Sequence, residues 1–420
     1  MRKAYNRCLK LSLITQIIIG LICGVVFAWL SESYAIAVGI LGELFINALK
    51  AIAPVLVLML ILTSIASYHK RKNSNIRKVI VLYLFSTFSA SMVALIASYF
   101  IPQHLTLKTT TTGASVIPPS SILEVLHGFL ISMITNLIEA LMTSNYISIL
   151  IWGVGLGFAF RNSSDNTHVF LKDISDAITQ LVCVIMKFAP IGIFGLISSS
   201  LASTGFHAVW QYAHLISLLI GCMLIIALLL NPVLVWWHIR RNPYPLVFTC
   251  LRESGITAFF TRSSVANIPV NMALAKKLDL NPNTYTASIP IGANISMAGA
   301  SITITVMTLA TLHTLNISLH ISTAILLSIV ASICACGASA IAGGSLLLIP
   351  VVCNMFGIPH AVTIQVVGIG FIISVLQDSV ETALNSSAGI LFTAAVCIAK
   401  QDQLEKRTQF ATTASPFLDK

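Results

Sequence analysis

This sequence predicts an all-α integral membrane protein with eight transmembrane helices and two re-entrant helical hairpins, arranged as inverted repeats. Three observations predict it. The 420 residues are 56% hydrophobic and only 9% charged, with a mean hydropathy of +0.91, whereas a soluble domain carries roughly a quarter charged residues. Several apolar runs exceed the about 18 residues expected of a spanning helix. Two apolar segments are interrupted by polar, Ser/Gly/Pro-broken patches, TRSSVANIPV (Thr261–Val270) and SICACGASAIAGGS (Ser332–Ser345). Backbone that leaves its helical hydrogen bonds inside a bilayer must be covered by protein or line a polar cavity. Two such broken segments in corresponding positions point to a transport site at mid-membrane depth.

The first strong run, Leu11–Leu30, is longer than a signal-peptide core and has no small-residue cleavage pattern after it, so it reads as a retained helix. Nine cysteines are scattered singly, most of them in apolar runs. Free thiols behave there as small hydrophobes, and no disulfide framework is expected. The formal charge of +10 sits in short loops, which makes it an orientation signal rather than a nucleic-acid footprint.

Apolar segments lie near 11–31, 40–67, 79–101, 121–160, 174–204, 211–237, 253–275, 284–312, 321–358 and 361–399. Basic clusters punctuate them: Arg2, Lys3, Arg7 and Lys10; Lys70, Arg71, Lys72, Arg77 and Lys78; Arg161 with Lys172; Arg240 with Arg241; Lys276 with Lys277; Lys400 with Lys406 and Arg407. The positive-inside rule places these on the cytoplasmic side. The connections near 102–120, 205–210, 313–320 and 358–361 carry almost no charge beyond histidines and Lys108 and face the other side.

The parity of this pattern selects the hairpins. Arg240/Arg241 and Lys276/Lys277 flank one apolar segment, yet both read as cytoplasmic, so 245–275 enters and leaves on one side with its tip near Ser263 and Ser264. Segment 321–358 has uncharged connections at both ends and is almost twice the about 20 residues that one crossing needs, which makes it a second hairpin from the opposite face. Two kinked but ordinary spans would break the charge alternation. Hairpin 245–275 with helix 284–312 then resembles hairpin 321–358 with helix 361–399, inserted upside down. Inverted repeats place substrate and ions between the halves. Both termini are expected in the cytoplasm, with a polar tail after Gln401.

Asp378 and Glu381 lie deep in the last segment. An ionisable group at such depth is costly and normally faces the bundle interior with a partner. Asp378, Thr382, Asn385 and Gly389 line one helix face at i, i+4, i+7 and i+11. That face offers a carboxylate, a hydroxyl and an amide, suited to an α-amino group and to Na⁺, a hard cation that prefers oxygen donors. The alternative is that both acids only pair with Arg262 or Arg252 to lock helices together. At Ser263 and Ser264, two half-helices meeting would present free N–H groups to a carboxylate; serine back-bonding is the competing reading. In IGANISMAGAS (Ile291–Ser301), Gly292, Asn294, Ser296, Met297 and Gly299 point either to unwound backbone offering carbonyls to cations or to a small-residue packing motif. Lys187 and Glu139 are assigned no role. Gly337-Ala338-Ser339-Ala340 superficially matches an intramembrane serine hydrolase motif, but short motifs match by chance. There is no Walker motif, no HExxH and no soluble domain for ATP.

The runs RESGITAFFTRSSVANIPVNMALAKKL, CACGASAIAGGSLLLIP and FIISVLQDSVETALNSS resemble the dicarboxylate/amino acid:cation symporter family over nearly the whole chain, and most nearly its bacterial serine/threonine:sodium symporter branch. The resemblance implies an elevator-type transporter, usually a homotrimer, whose transport domain slides against a static scaffold. It divides the chain into N-terminal spanning helices (1–78), a third helix of the transport domain (79–101), scaffold and trimerisation helices (102–241), a transport core (242–400) and a cytoplasmic tail (401–420). By position it implies that Ser263 and Ser264 bind the substrate carboxylate and that Asp378 takes its amino group, with Thr382 and Asn385 lining the site. Gly337, Gly343 and Gly344 fall in the second hairpin, the gate. The implied cation ligands are Gly292, Asn294, Met297, Ser332, Ile333 and Asn385, with hydroxyls from Ser86 and Thr87. Na⁺ is the expected co-transported ion, without an organic cofactor or transition-metal site. L-serine, L-threonine, sodium ions and membrane lipid are the expected partners, and the bacterial inner membrane is the expected location.

The departures sharpen this. Glu381 stands where acidic-substrate members place arginine, which favours small neutral amino acids as cargo. Ala298 and Gly389 stand where carboxylates are usual, and Ser296 where an asparagine is. Sodium affinity is therefore expected to be altered, and a sodium-independent exchanger is the alternative.

Overall fold

The computed structural model describes residues 13–66, 74–107, 135–143, 145–204, 207–317, 319–338 and 343–414. Lys108, Ser339 and the basic residues at 2–10 and 70–72 lie outside them. The described residues are mostly helical (85%), with no strand among them. The helices in order are α1 (Leu13–Leu30), α2 (Glu32–Ala37), α3 (Gly39–Ala66), α4 (Ser74–Phe100), α5 (Leu137–Met142), α6 (Tyr146–Phe160), α7 (Asp165–Lys187), α8 (Ala189–Thr204), α9 (His207–Ile225), α10 (Asn231–Ile239), α11 (Tyr244–Cys250), α12 (Ile256–Thr261), α13 (Ile268–Lys277), α14 (Pro282–Ile295), α15 (Ala298–Thr314), α16 (Ile321–Cys336), α17 (Ile349–Asn354) and α18 (His360–Ala414). Single π turns, Ile226–Leu230 and Leu251–Gly255, join α9 to α10 and α11 to α12.

Among the described residues, four stretches are long and apolar enough to cross a bilayer: Asn75–Phe100, Trp210–Ile239, Pro282–Thr314 and His360–Gln401. Shorter apolar helices accompany them, among them Thr15–Leu30, Ile151–Phe160, Ala189–Ser199 and Ile321–Cys336. Large apolar side chains, including Ile22, Trp29, Phe100, Trp210, Trp236 and Trp237, are exposed on the outside, as a lipid-facing surface requires.

Two helix groups emerge from the packing. In one, α1 lies on α8, and α3 lies on α6, α7 and α8. In the other, α15 lies against α4, α16 and α18, and is buried from Ala298 to Leu312. The sequence reading groups 207–239 with the scaffold, yet α9 and α10 pack against α18, with α9 also on α4.

Local chemistry sets the breaks. The expected segment 174–204 is two helices, α7 and α8, because Pro190 in the first turn of α8 offers no N–H to continue the ladder. Arg262 ends α12 in a left-handed conformation (φ 51°), and Pro269 opens α13. The arm α13 returns against the π turn Leu251–Gly255, with Lys277 Nζ 3.2 Å from Glu253 Oε1. In the second broken region α16 ends at Gly337, and α17 restarts with Pro350 in its first turn and packs on α16. Helix 282–314 breaks at Ser296 and Met297, whose ψ values of 77° and 42° are not helical. The last helix runs on to Ala414, beyond the apolar segment ending at 399, because QDQLEKRTQFATTA contains neither Gly nor Pro.

Candidate functional site

The breaks in 244–277, 282–314 and 321–354 converge on the middle of α18. There Asp378 is buried, and two nitrogens of Arg262 donate to its Oδ2, Nε at 2.7 Å and Nη2 at 2.7 Å. Nη2 also donates to the Ser374 carbonyl at 3.3 Å, while the buried Nη1 has no partner among the described residues. The backbone of Gly343, left-handed at φ 75°, reaches the same carboxylate. Both broken regions therefore meet on Asp378. Each side chain of this pair is only 3% exposed, so neither charge is carried by solvent and each depends on the other.

One turn further along, Glu381 Oε2 accepts from Thr303 Oγ1 at 2.7 Å, Ser345 Oγ at 2.9 Å and Gln377 Nε2 at 2.6 Å. These donors come from α15, from the stretch before α17 and from α18 itself. Arg252, the other basic partner considered from sequence, instead pairs with Glu253 on the surface at 3.0 Å.

The helix break at Ser296–Met297 is spanned by two side chains. Asn385 accepts from the Gly299 N–H at 2.8 Å and approaches Met297 Sδ with Nδ2 at 3.5 Å. Thr87 Oγ1 accepts from the Met297 N–H at 3.3 Å while donating to the Tyr83 carbonyl at 2.8 Å. Two side-chain oxygens, Asn385 Oδ1 and Thr87 Oγ1, thus hold the backbone on either side of the break.

The remaining sequence-predicted residues are placed less centrally. Ser263 is half-buried in the turn before α13 and accepts from the Ala266 N–H at 3.2 Å, while Ser264 is buried beside it. The Thr382 hydroxyl donates back to the Asp378 carbonyl at 2.8 Å. Ser86 donates to Asn231 Oδ1 at 2.9 Å. The Asn294 amide turns to the Pro290 carbonyl at 3.5 Å. Ser332 bonds the Ser328 carbonyl at 2.7 Å and meets Ser301 at 3.2 Å. The Ile333 side chain is exposed, Gly337 caps α16, and Gly292 lies against the Tyr83 hydroxyl.

Four participants are not singled out by sequence: Thr303, Ser345, Gln377 and Tyr83. Tyr83 is fully buried, and its hydroxyl donates toward the Gly389 carbonyl at 2.9 Å and lies 2.9 Å from Thr393 Oγ1. A buried acid such as Glu381 demands donors, and that demand was the available signal for Thr303 and Ser345. It does not say which of many hydroxyls supply them. A sequence model described as the Sodium:dicarboxylate symporter family matches residues 13–400.

Proposed function

The chain belongs to the sodium:dicarboxylate symporter family, whose members are secondary transporters and not enzymes, and on that footing we propose that it imports small neutral amino acids, chiefly L-serine and L-threonine, with Na⁺ across a bacterial inner membrane. The observation that carries this reading is Glu381: a buried carboxylate, 5% exposed, held by three neutral donors and placed one turn from Asp378. An acidic side chain on the cargo would meet like charge at Glu381, whose hydrogen-bond partners among the described residues include no guanidinium. A neutral hydroxyl side chain meets no such penalty.

The backbone of an amino acid matches the neighbouring ion pair. Its ammonium group can replace the Arg262 guanidinium on Asp378, and its carboxylate can take the released donors of Arg262 together with the turn at Ser263 and Ser264. Arg262 Nη1, which has no partner among the described residues, supports this exchange of partners. Na⁺ would sit among oxygens near the Ser296–Met297 break, with Asn385, Thr87 and backbone carbonyls as donors. In this reading the two broken regions are re-entrant hairpins in a fold of eight spanning helices, both termini are cytoplasmic, and the transport core moves as an elevator within a homotrimer.

Competition of radiolabelled serine uptake by neutral and acidic amino acids, with and without an inward Na⁺ gradient, tests the proposal. Serine, threonine and alanine should compete and aspartate should not; equal uptake without Na⁺ overturns the coupling. That last outcome favours a sodium-independent exchanger, a reading supported by Ala298 and Gly389, which leave the cation cluster without a carboxylate.

A further inference from the structure

We propose that Glu381, switched by the amide of Gln377, is the binding site of a co-transported proton. The inference rests on the transport reading above and names a coupling ion within the same site.

The geometry around Glu381 Oε2 is unsuited to a metal cation. A cation needs converging acceptors, but this oxygen is surrounded by donors: two hydroxyls and an amide N–H, all within 2.9 Å. The amide of Gln377 is also used on one side only. Its Nε2 donates both to Glu381 Oε2 at 2.6 Å and to Thr303 Oγ1 at 2.7 Å, while its buried Oε1 has no partner among the described residues. Turning this amide over exchanges its two ends. The carbonyl oxygen then stands where it accepts the O–H of a protonated Glu381 and the O–H of Thr303. With the carboxylate ionised, the amide gives two N–H groups; with it protonated, the carbonyl takes two O–H groups. Thr303 adapts because its hydroxyl has a second acceptor at the Gly299 carbonyl, 3.1 Å away. One cluster thus offers Glu381 Oε2 a partner in both protonation states.

Charge balance calls for that proton. α15 faces Glu381 with Gly299 and Thr303, the stretch before α17 faces it with Ser345, and α18 faces it with Gln377 and Asp378. Asp378 is balanced by Arg262, whereas the side chains that donate to Glu381, those of Thr303, Ser345 and Gln377, are all neutral. Carrying a lone buried carboxylate through hydrocarbon is costly. A proton taken from water on the loading side bonds Glu381 Oε2, neutralises it for the crossing and returns to water on the other side. No other bond changes.

Full-length protein in liposomes with a trapped pH-sensitive dye gives the test. With no initial pH gradient, adding L-serine under an inward Na⁺ gradient should acidify the lumen in step with radiolabelled serine entry. Serine accumulation without acidification overturns the proposal. If no serine enters, the neutral amino-acid reading fails, and infrared pH-difference spectra of the substrate-free protein still decide the proton site. A carboxylic-acid C=O band should appear as the buffer is acidified. It should vanish in Glu381→Gln, persist in Asp378→Asn and shift its midpoint in Gln377→Leu, each variant first checked for monodispersity. A band unchanged in Glu381→Gln, or no band at all, overturns the assignment.

Discussion

Arg262 grips Asp378 through Nε and Nη2, each 2.7 Å from Oδ2, with both side chains only 3% exposed. The pair joins the tip of one broken region to the middle of α18, across 116 residues of sequence. Removing one partner of a buried ion pair costs about 3–5 kcal/mol, because the other charge is left uncompensated. Asp378→Asn is therefore expected to abolish serine transport and to lower the thermal midpoint in detergent. Arg262→Gln combined with Asp378→Asn should recover much of that midpoint without recovering transport. A thermal midpoint that falls further in the double variant, or normal uptake by Asp378→Asn, would exclude the exchange of partners proposed for the substrate.

Asn385 gives the second expectation. Its Oδ1 holds the Gly299 N–H at 2.8 Å, just past the helix break at Ser296–Met297 where the cation is proposed to sit. Asn385→Ala should raise the Na⁺ concentration for half-maximal uptake at least tenfold, equivalent to about 1.4 kcal/mol. Titrating Na⁺ at fixed serine reads this directly, and an unchanged Na⁺ curve would remove Asn385 from the cation site.

The breaks in the helices were legible because Ser, Gly and Pro interrupt apolar runs at Thr261–Val270 and Ser332–Ser345. Asp378 was legible because a lone acid in such a run has few bland explanations. The partners of Glu381 were not. Thr303 lies 78 residues away and Ser345 lies 36 away, and hydroxyls in apolar helices commonly bond their own backbone, as Thr382 and Ser332 do here. Charge parity reports only the side on which a loop ends, so it says nothing of the contacts that a segment makes inside the bundle. Hydropathy likewise finds the bilayer-length part of α18 and is blind to its polar extension to Ala414.

Gly389 supplies a gain-of-function prediction. A Cβ built there meets no atom within 4 Å, so a larger side chain has room to begin. Its neighbours are polar: the Tyr83 hydroxyl on the Gly389 carbonyl, and Thr393. Gly389→Asp should strengthen the dependence of uptake on Na⁺ by adding a hard oxygen ligand with a negative charge. A Na⁺ titration identical to that of the unmodified chain would show that this region does not reach the ion.

Gly299 is the steric opposite. A Cβ there would lie 2.9 Å from Glu381 Cα and Cγ and 3.0 Å from its carbonyl oxygen. Two of those atoms are backbone, so they cannot swing aside as a side-chain end would. Gly299→Ala must push α15 from α18 or tilt Glu381 out of its three hydrogen bonds, an overpacking cost of about 1–3 kcal/mol. The variant should show a lower thermal midpoint and reduced serine affinity together, whereas Gly389→Ala should leave the midpoint unchanged. Equal midpoints for both would mean that the close contact at Gly299 does not order the α15–α18 interface.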